Sequence, residues 1–216
     1  MPIEVIQNRL IQVFEKRNRP GSFRVDNGEP FGSPANDTPP PLALWLIGYD
    51  IDMIWNKPRC PQMNGVVERL QQTSSRWAEI ESCSSYEELQ DRLDHQATIQ
   101  RSVFPVSRLK HQTRLEAFPS AEKSDRIWEP LLFCPQRVYD FLAKKIFTRK
   151  ISSGGHITHF NKPCHGLRLF KGQFVQLSLN PKTLEWQIIH DYQLIKSWSV
   201  AQYLTEERLL NLTIFQ

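Results

Sequence analysis

The sequence predicts an α/β N-terminal half followed by a small all-β unit, and two patterns of apolar residues carry this prediction. Up to residue 98, stretches of helical periodicity alternate with short apolar strands. From residue 147 to residue 198, short apolar runs are separated by turn signals such as Gly154, Gly155 and Gly172. Closely spaced short strands with hairpin turns predict a small antiparallel barrel or sandwich.

The elements of the N-terminal half follow from periodicity and from turn residues. Ile3, Ile6 and Leu10 recur at helical spacing and define a first amphipathic helix. Ser85 followed by Glu88 has the capping-box spacing and opens a later helix. The predicted elements are a helix at 3–16, a strand at 22–26, a proline-rich loop at 29–41, a helix at 42–47, a strand at 51–55, a loop at 58–63, a long helix at 64–82 and a helix at 85–98.

The second half of the chain is predicted as a linker, a short helix and a set of strands. Residues 99–128 are polar and basic without sustained periodicity, which predicts a linker. A helix at 136–143 precedes strands at 147–151, 156–160, 167–170, 174–179, 185–189 and 194–198, and a helix at 205–212 follows them. The resulting division is an α/β domain at 1–98, a basic linker at 99–128, a small barrel at 129–198 and a C-terminal helix at 199–216.

Positive charge is concentrated in the middle of the sequence. Residues 101–171 hold 14 Lys or Arg against 5 Asp or Glu, although the net charge of the whole chain is only +4. Cationic side chains that contact phosphates release counterions, so this distribution indicates a polyanionic partner such as DNA. A basic surface that is only solvated is the alternative.

No stretch of the sequence indicates a membrane segment or an export signal. No run approaches about 18 apolar residues, and the N-terminus has no basic segment followed by an apolar run. We therefore expect a cytoplasmic protein without a membrane partner. The four cysteines form no C-x-x-C pair, which indicates reduced thiols rather than a disulfide scaffold or a cysteine-rich zinc site.

Asp26 and Glu68 are the most informative candidate site residues. Asp26 ends a predicted strand and is followed by Asn27 and Gly28, and Glu68 comes 42 residues later on a predicted helix. On a helical wheel Glu68 falls nearly opposite the apolar side, so its carboxylate is free to point out of the core. The apolar side carries Val66, Leu70, Thr73, Trp77 and Ile80. Of these, Val66, Leu70 and Trp77 are predicted to face inward.

A carboxylate at a strand end and another on the polar face of a helix can approach the same divalent ions. Two-metal phosphoryl transfer uses such an arrangement, because hard cations prefer oxygen ligands. Taken singly, Asp26 would be part of an ordinary turn and Glu68 an ordinary solvated residue. A second set of metal-ligand types matches no zinc pattern in its spacing. This set is His156, His159, Cys164 and His165.

The order of these motifs resembles the second half of the catalytic core of DDE-type transposases and retroviral-type integrases. Asp26-Asn27-Gly28 is followed by a short helix, a strand, Pro61-Gln62, Asn64-Gly65 and then Glu68-Arg69. The resemblance covers about residues 3–98 and implies a partial RNase H-like core. It also implies that Asp26 and Glu68 are catalytic residues and metal ligands, with Mg²⁺ or Mn²⁺ as the cofactor if the active site is completed.

The second half of the chain resembles the C-terminal barrel of bacterial and Mu-like transposases. This similarity is carried by Trp128, the predicted helix near 138–142, residues 149–157, and residues 172–175 followed by Trp186. It implies a Src-homology-3-type barrel that supports DNA binding and assembly. The expected partners are therefore DNA and either further copies of the chain or an upstream transposase fragment. The DNA-binding candidates are Asn64, Arg69, Gln72, Lys144, Lys145, Arg149, Lys150 and Lys171, and further candidate phosphate contacts are Lys162 and Arg168.

The sequence departs from this family in the region before Asp26. Family members place the first catalytic Asp on an opening strand, whereas only Glu4 and Glu15 are acidic among the 25 residues that precede Asp26. We therefore expect a fragment of an enzyme of DNA transposition and DNA integration, inactive alone. The intact family catalyses Mg-dependent phosphodiester hydrolysis and DNA strand transfer. A non-catalytic DNA-binding or assembly module and a decayed remnant are the alternatives.

Overall fold

A computed structural model describes residues 2–32, 38–57 and 59–216, so the predicted loops at 29–41 and 58–63 fall partly outside the described residues. The described chain mixes α-helices with β-strands, and most strand pairs are antiparallel. No helix in this part of the chain combines the length and the apolar character that a bilayer crossing requires. The elements are α1 (Ile3–Arg17), β1 (Ser22–Val25), α2 (Pro41–Gly48), β2 (Asp52–Trp55), α3 (Gly65–Ala78), α4 (Tyr86–Ser102), α5 (Arg114–Ala117), α6 (Pro135–Ala143), β3 (Phe147–Lys150), β4 (Ile157–His159), β5 (Lys162–Cys164), β6 (Phe174–Asn180), β7 (Glu185–His190), β8 (Gln193–Ser199) and α7 (Glu206–Leu210).

The described residues divide into two compact units. Unit 1 is drawn from residues 1–11, 21–55 and 129–216, and unit 2 is drawn from residues 12–20 and 56–128. The division falls inside α1, whose first part belongs to unit 1 and whose last part belongs to unit 2.

A parallel β–α–β arrangement opens unit 1. β1 and β2 pair in parallel, with Ser22 opposite Asp52 and Val25 opposite Trp55, and α2 connects the two strands. Almost every side chain of α2 is apolar and buried, as expected for a helix surrounded by its own unit rather than by water. The two predicted strands and the predicted short helix are confirmed, with ends shifted by one residue.

A four-stranded antiparallel sheet forms the C-terminal part of unit 1. The strand order is β3-β6-β7-β8, with Phe147 opposite Leu177 and Leu179 opposite Trp186. Alternate side chains of β6 and β7 are buried, which is the period of two that a half-buried strand requires. α6 contacts β6 and buries Val138, while β4 and β5 form a separate two-stranded hairpin.

The structure differs from the sequence prediction at two strands of this region. The segment 167–170 is a 3-10 turn: Leu167 is buried and Leu169 is 91% exposed, whereas a strand would place both on one face. β5 is absent from the predicted strands and contains Pro163, which lies opposite Thr158. A two-stranded sheet has only edge strands, and an edge strand tolerates proline. Among the described residues, β3 and β8 are the two edge strands of the four-stranded sheet and do not pair with each other. A closed barrel therefore stays a prediction, as does an RNase H-like core.

Two antiparallel helices form the centre of unit 2. Arg92 Nη1 donates to the Ala78 carbonyl at 3.3 Å, and Gln100 Nε2 donates to Ser74 Oγ at 3.2 Å. The later residue of α4 therefore contacts the earlier residue of α3, so α4 runs back along α3. Gln100 is itself buried, so its hydrogen bond lies inside the contact between the two helices and not on the surface.

Both helices of this pair have ends that differ from the predicted ones. α3 ends at Ala78, four residues before the predicted end, because Glu79 adopts a left-handed conformation with a φ of 51°. α4 begins after Ser85, whose hydroxyl accepts from the Glu88 N–H at 3.2 Å. This hydrogen bond confirms the predicted cap, and the helix then continues four residues beyond its predicted end.

The segment at 99–128, predicted as a basic linker, contains α5 and contacts the end of α1 within unit 2. A complete capping box starts α5. Asn18 Nδ2 donates to the Ser124 carbonyl at 2.6 Å, and the ring centroids of Phe14 and Trp128 lie 5.1 Å apart. Side-chain contacts distant in sequence therefore hold this segment, although its own residues show no periodicity.

Candidate carboxylates and nucleic-acid interface

Asp26 lies directly after β1, at the carboxyl end of a parallel strand pair, and its side chain is exposed. The Gly28 carbonyl holds the turn that follows by accepting from the N–H groups of Phe31 and Gly32 at 3.1 and 2.8 Å. Trp55 Nε1 donates to the Phe31 carbonyl at 2.9 Å, so the end of β2 is tied to the same turn. Ligands of α/β sheets bind at the carboxyl ends of parallel strands, and Asp26 therefore occupies a position suited to a ligand.

Glu68 lies in the first turn of α3, and its side chain is exposed. The positive end of the helix dipole lies at this turn and stabilises a carboxylate there. Asn64 directly precedes the helix, and its Oδ1 accepts from the Asn56 side-chain amide at 2.5 Å. Glu68 and Gln72 line one surface depression of about 910 Å³, together with Glu81. Two of the predicted site residues of unit 2 thus share one surface.

The predicted inward stripe of α3 is wrong for the described part of unit 2. α4 packs along the flank of α3 that carries Ser74 and the buried Ala78, and this flank is not the apolar one. The amphipathic pattern is real, but its apolar side is only partly covered within the unit, where Trp77 contacts Phe104. Of the five residues of the stripe, Val66, Leu70 and Ile80 are exposed, and Thr73 and Trp77 are half-buried.

Asp26 belongs to unit 1 and Glu68 belongs to unit 2. A metal site that uses both carboxylates therefore stays a prediction. Within residues 2–32, 38–57 and 59–216, no group of three or more His, Cys, Asp or Glu side chains is arranged to hold a metal ion.

The lysines of unit 1 that the sequence predicts as DNA contacts lie on its surface. Lys144, Lys150 and Lys171 are exposed, and Lys145 Nζ lies 5.1 Å from the centroid of an aromatic ring of α6. Lys150 projects from β3, an edge strand of the sheet, and its Nζ lies 5.8 Å from the Phe174 ring centroid. Such cations keep their charge in water while their stems cover apolar surface, so they can contact phosphates.

Arg149 differs from these lysines because its donors are engaged inside unit 1. Its Nε donates to the Thr158 carbonyl at 3.3 Å, and its Nη2 lies 2.9 Å from Nδ1 of His159. The guanidinium thus joins β3 to β4 and is half-buried. The sequence places Arg149 among basic neighbours and does not reveal this structural role.

His159 is the buried partner of Arg149. Its ring centroid lies 4.6 Å from those of Phe147 and Trp186. Burial, and to a smaller extent the charge of Arg149, lowers the pKa of His159 to about 3. The imidazole is therefore neutral near pH 7, and Nδ1 accepts from the guanidinium. His156 instead lies 2.8 Å from a serine hydroxyl, and its ring centroid lies 5.4 Å from that of His165. His159 therefore has other partners than His156.

A groove in unit 2 is lined by several residues that the sequence does not single out. It encloses a cavity of about 440 Å³, and its lining includes Arg76, Arg108, Arg114 and the ring of Phe104. The available sequence signal is the seven-residue spacing of Arg69 and Arg76, which places both arginines on one side of α3. Arg108 and Arg114, which lie in the later segment that contains α5, carry no such signal.

No protein-family model matches this sequence. The function of the chain must therefore be inferred from its residues and their geometry.

Proposed function

We propose that this chain is a DNA-handling fragment of a DDE-type transposase or retroviral-type integrase, with Asp26 and Glu68 as two metal-binding carboxylates. The observation that carries the proposal is the parallel β1–α2–β2 arrangement with Asp26 at its carboxyl end. Later in the chain, Asn64 and Gly65 precede a helix whose first turn presents Glu68 to solvent. The first motif of the resemblance, Asp26-Asn27-Gly28, thus lies within a parallel strand–helix–strand crossover, which is typical of α/β sheets.

The two carboxylates fit the proposed cofactor by ligand type. Both side chains are exposed and offer oxygen donors, which Mg²⁺ and Mn²⁺ prefer. Bound metal ions would polarise a DNA phosphodiester and steady the attacking and leaving oxygens of an in-line displacement. Asp26 and Glu68 would hold and orient these ions. The resemblance implies three carboxylates, of which Asp26 and Glu68 match two.

Exposed cations support the DNA-binding part of the proposal. Lys144, Lys150 and Lys171 lie on the surface of unit 1, where duplex phosphates can reach them. Lysine ammonium groups are flexible point charges, so the interaction would depend mainly on the phosphate backbone. Assembly of several copies on DNA would add such contacts and strengthen binding.

Joining of a labelled DNA end to a plasmid tests the catalytic part. With Mg²⁺ or Mn²⁺ and the matching transposon ends, the chain alone is expected to join no DNA. Adding a segment that carries the first catalytic Asp is expected to restore joining. Asp26→Asn and Glu68→Gln should each abolish the restored activity, because each removes a ligand that holds the ions in place.

Asp52→Asn and Glu81→Gln are the matched controls for these variants. Asp52 is exposed at the start of β2, and Glu81 lines the same depression as Glu68. Both control variants should retain the restored activity. Joining by the wild-type chain alone, or unchanged activity of Asp26→Asn in the completed assembly, would contradict the assignment.

Duplex binding tests the electrostatic part separately. Affinity should fall steeply with salt, and Lys150→Gln should reduce the slope of log K against log salt by about 1. Lys182→Gln, which alters an exposed lysine of the β6–β7 turn, should leave the slope unchanged. Affinity indifferent to salt would remove this part of the proposal. Salt-dependent binding without restored joining would favour the non-catalytic DNA-binding or assembly module.

A further inference from the structure

The groove of unit 2 has an apolar floor. Val66, Leu70 and Phe104 line it and are 58%, 46% and 47% exposed, so large apolar side chains meet water here. The ring centroids of Trp77 and Phe104 lie 5.6 Å apart with an interplanar angle of 62°, an edge-to-face contact that joins α3 to the segment after α4. A contiguous apolar patch of this kind marks an interaction surface more often than does a scattered exposed residue.

The rim of the groove is cationic. Arg69, Arg76, Arg108 and Arg114 line it, and none of the described residues that line it is acidic. Arg114 Nη1 donates to a backbone carbonyl of α4 at 2.5 Å, so one wall is held in place before any partner arrives. Four positive charges without a carboxylate among them create a field that favours an anionic occupant.

We propose that this groove docks an acidic amphipathic helix of a partner protein. The floor extends from Val66 to Trp77 along α3, which is about 16 Å or three helical turns. A helix with apolar residues at positions i, i+4 and i+7 can cover such a floor, as helix-in-groove complexes do. Carboxylates on the flanks of that helix then pair with the arginines of the rim, in charge-assisted hydrogen bonds.

Nucleic acid fits the same groove less well. A DNA duplex would neutralise the arginines but has no apolar face for Val66, Leu70 and Val106, which would stay in contact with water. Single-stranded bases stack on aromatic faces, but the aliphatic side chains of Val66, Leu70 and Val106 offer none. Glu68 does not line this groove, so docking is a further activity and does not depend on the proposed metal chemistry.

Fluorescence anisotropy with a designed probe tests the docking helix. The probe is a fluorescein-labelled peptide of about 16 residues, with leucines at i, i+4, i+7 and i+11 and glutamates beside them. The whole chain should bind it at least about tenfold more tightly than a peptide of the same composition with scattered leucines. Replacing the glutamates of the probe by lysines should weaken binding by a similar factor, because the arginines would repel it.

Neighbouring residues of unit 2 provide matched variants. Val66→Glu and Arg108→Glu should weaken probe binding about tenfold or more, since both residues line the groove. Val67→Glu and Lys123→Glu should change it by less than about twofold, because Val67 and Lys123 are exposed on the same unit but do not line the groove. Circular dichroism of Val66→Glu and Val67→Glu checks that both variants fold alike.

Several outcomes would overturn the docking proposal. One is equal affinity for the ordered and the scattered peptide, and another is equal weakening by Val66→Glu and Val67→Glu. Displacement of the probe by a DNA oligonucleotide whose own binding is lost in Val66→Glu would make the groove a nucleic-acid site. Concentration-dependent dimerisation that Val66→Glu abolishes would make a second copy of this chain the occupant.

Discussion

Units 1 and 2 differ in how far their apolar side chains are buried. In unit 1, Leu177 and Trp186 lie in the sheet and are completely buried. In unit 2, α3 carries an equally clear apolar stripe, yet Val66 and Leu70 are among its exposed residues. Periodicity therefore identifies the apolar side of a helix without identifying what covers it. In the sheet, the cover comes from the neighbouring strands and from α6.

Polar contacts hold much of unit 2 together. Arg126 Nη1 donates to the Pro20 carbonyl at 2.9 Å, and Arg92 Nη1 donates to Ser82 Oγ at 2.7 Å. A hydrogen bond of this kind contributes about 1 kcal/mol net, whereas truncating a buried leucine costs about 2–5 kcal/mol. We therefore expect unit 1 to be the more resistant unit, and three predictions test that difference.

The largest effect on stability is expected from Leu177→Ala. This side chain is fully buried between neighbouring strands, and its loss should lower the free energy of unfolding of unit 1 by about 3 kcal/mol. Leu70→Ala removes the same atoms from the exposed stripe of α3 and should cost less than about 1 kcal/mol. Urea unfolding, with hydrogen exchange followed separately in β6 and α3, measures both changes. Equal losses for the two variants would refute the contrast between the units.

Counted per pH unit, an intermediate effect is expected from the titration of His159. Its pKa in the folded chain is about 3, against an ordinary value of 6.5, so the unfolded chain binds a proton between these pH values that the folded chain does not. The contribution of neutral His159 to the free energy of unfolding is complete at pH values above 6.5. It is lost as the pH falls towards the pKa of about 3 that His159 has in the folded chain. The free energy of unfolding of unit 1 should fall by up to about 1.4 kcal/mol per pH unit in this window.

His159→Gln is the control for this pH dependence. Glutamine does not titrate and can still accept a hydrogen bond from Arg149, so the variant should show a flatter stability profile below the ordinary histidine pKa. Urea unfolding of unit 1 at a series of pH values measures the difference. An unchanged slope in His159→Gln would show that another group is responsible.

The smallest effect is expected from the cap of α4. Ser85→Ala removes the acceptor of the Glu88 N–H and should destabilise the start of α4 by about 1 kcal/mol. Hydrogen exchange in the first turn should accelerate, while exchange in the sheet of unit 1 stays unchanged. Ser85→Asp retains a capping oxygen and should restore protection. Equal acceleration in both units would indicate that they unfold together.

Much of the fold follows from the sequence because its signals are local. Apolar spacing predicts α1, turn residues delimit β1 and β2, and the Ser85 cap starts α4 where expected. Predictions fail where an element depends on a contact between residues distant in sequence or on an unusual backbone conformation. The end of α3 depends on the left-handed conformation of Glu79, and the turn at 167–170 depends on which leucine the core can accept.

The candidate site is less predictable than the fold. Asp26 and Glu68 are exposed, as a ligand requires, and this follows from a strand end and from a helical wheel. The engagement of Arg149 with His159 does not follow, because it depends on the position of β4 beside β3. The groove arginines of unit 2 come from α3 and from a later segment that carries Arg108 and, at the start of α5, Arg114. No pattern in the sequence brings these two segments together.

The amino-acid sequence specifies which residues are apolar, charged or able to cap a helix, and these local properties place most helices and strands. The exposure of the α3 stripe beside a rim of arginines and the link that Arg149 makes between two strands depend on how the chain folds. Periodicity is a property of neighbouring residues. Burial and electrostatic pairing instead depend on which distant segments fold onto a surface.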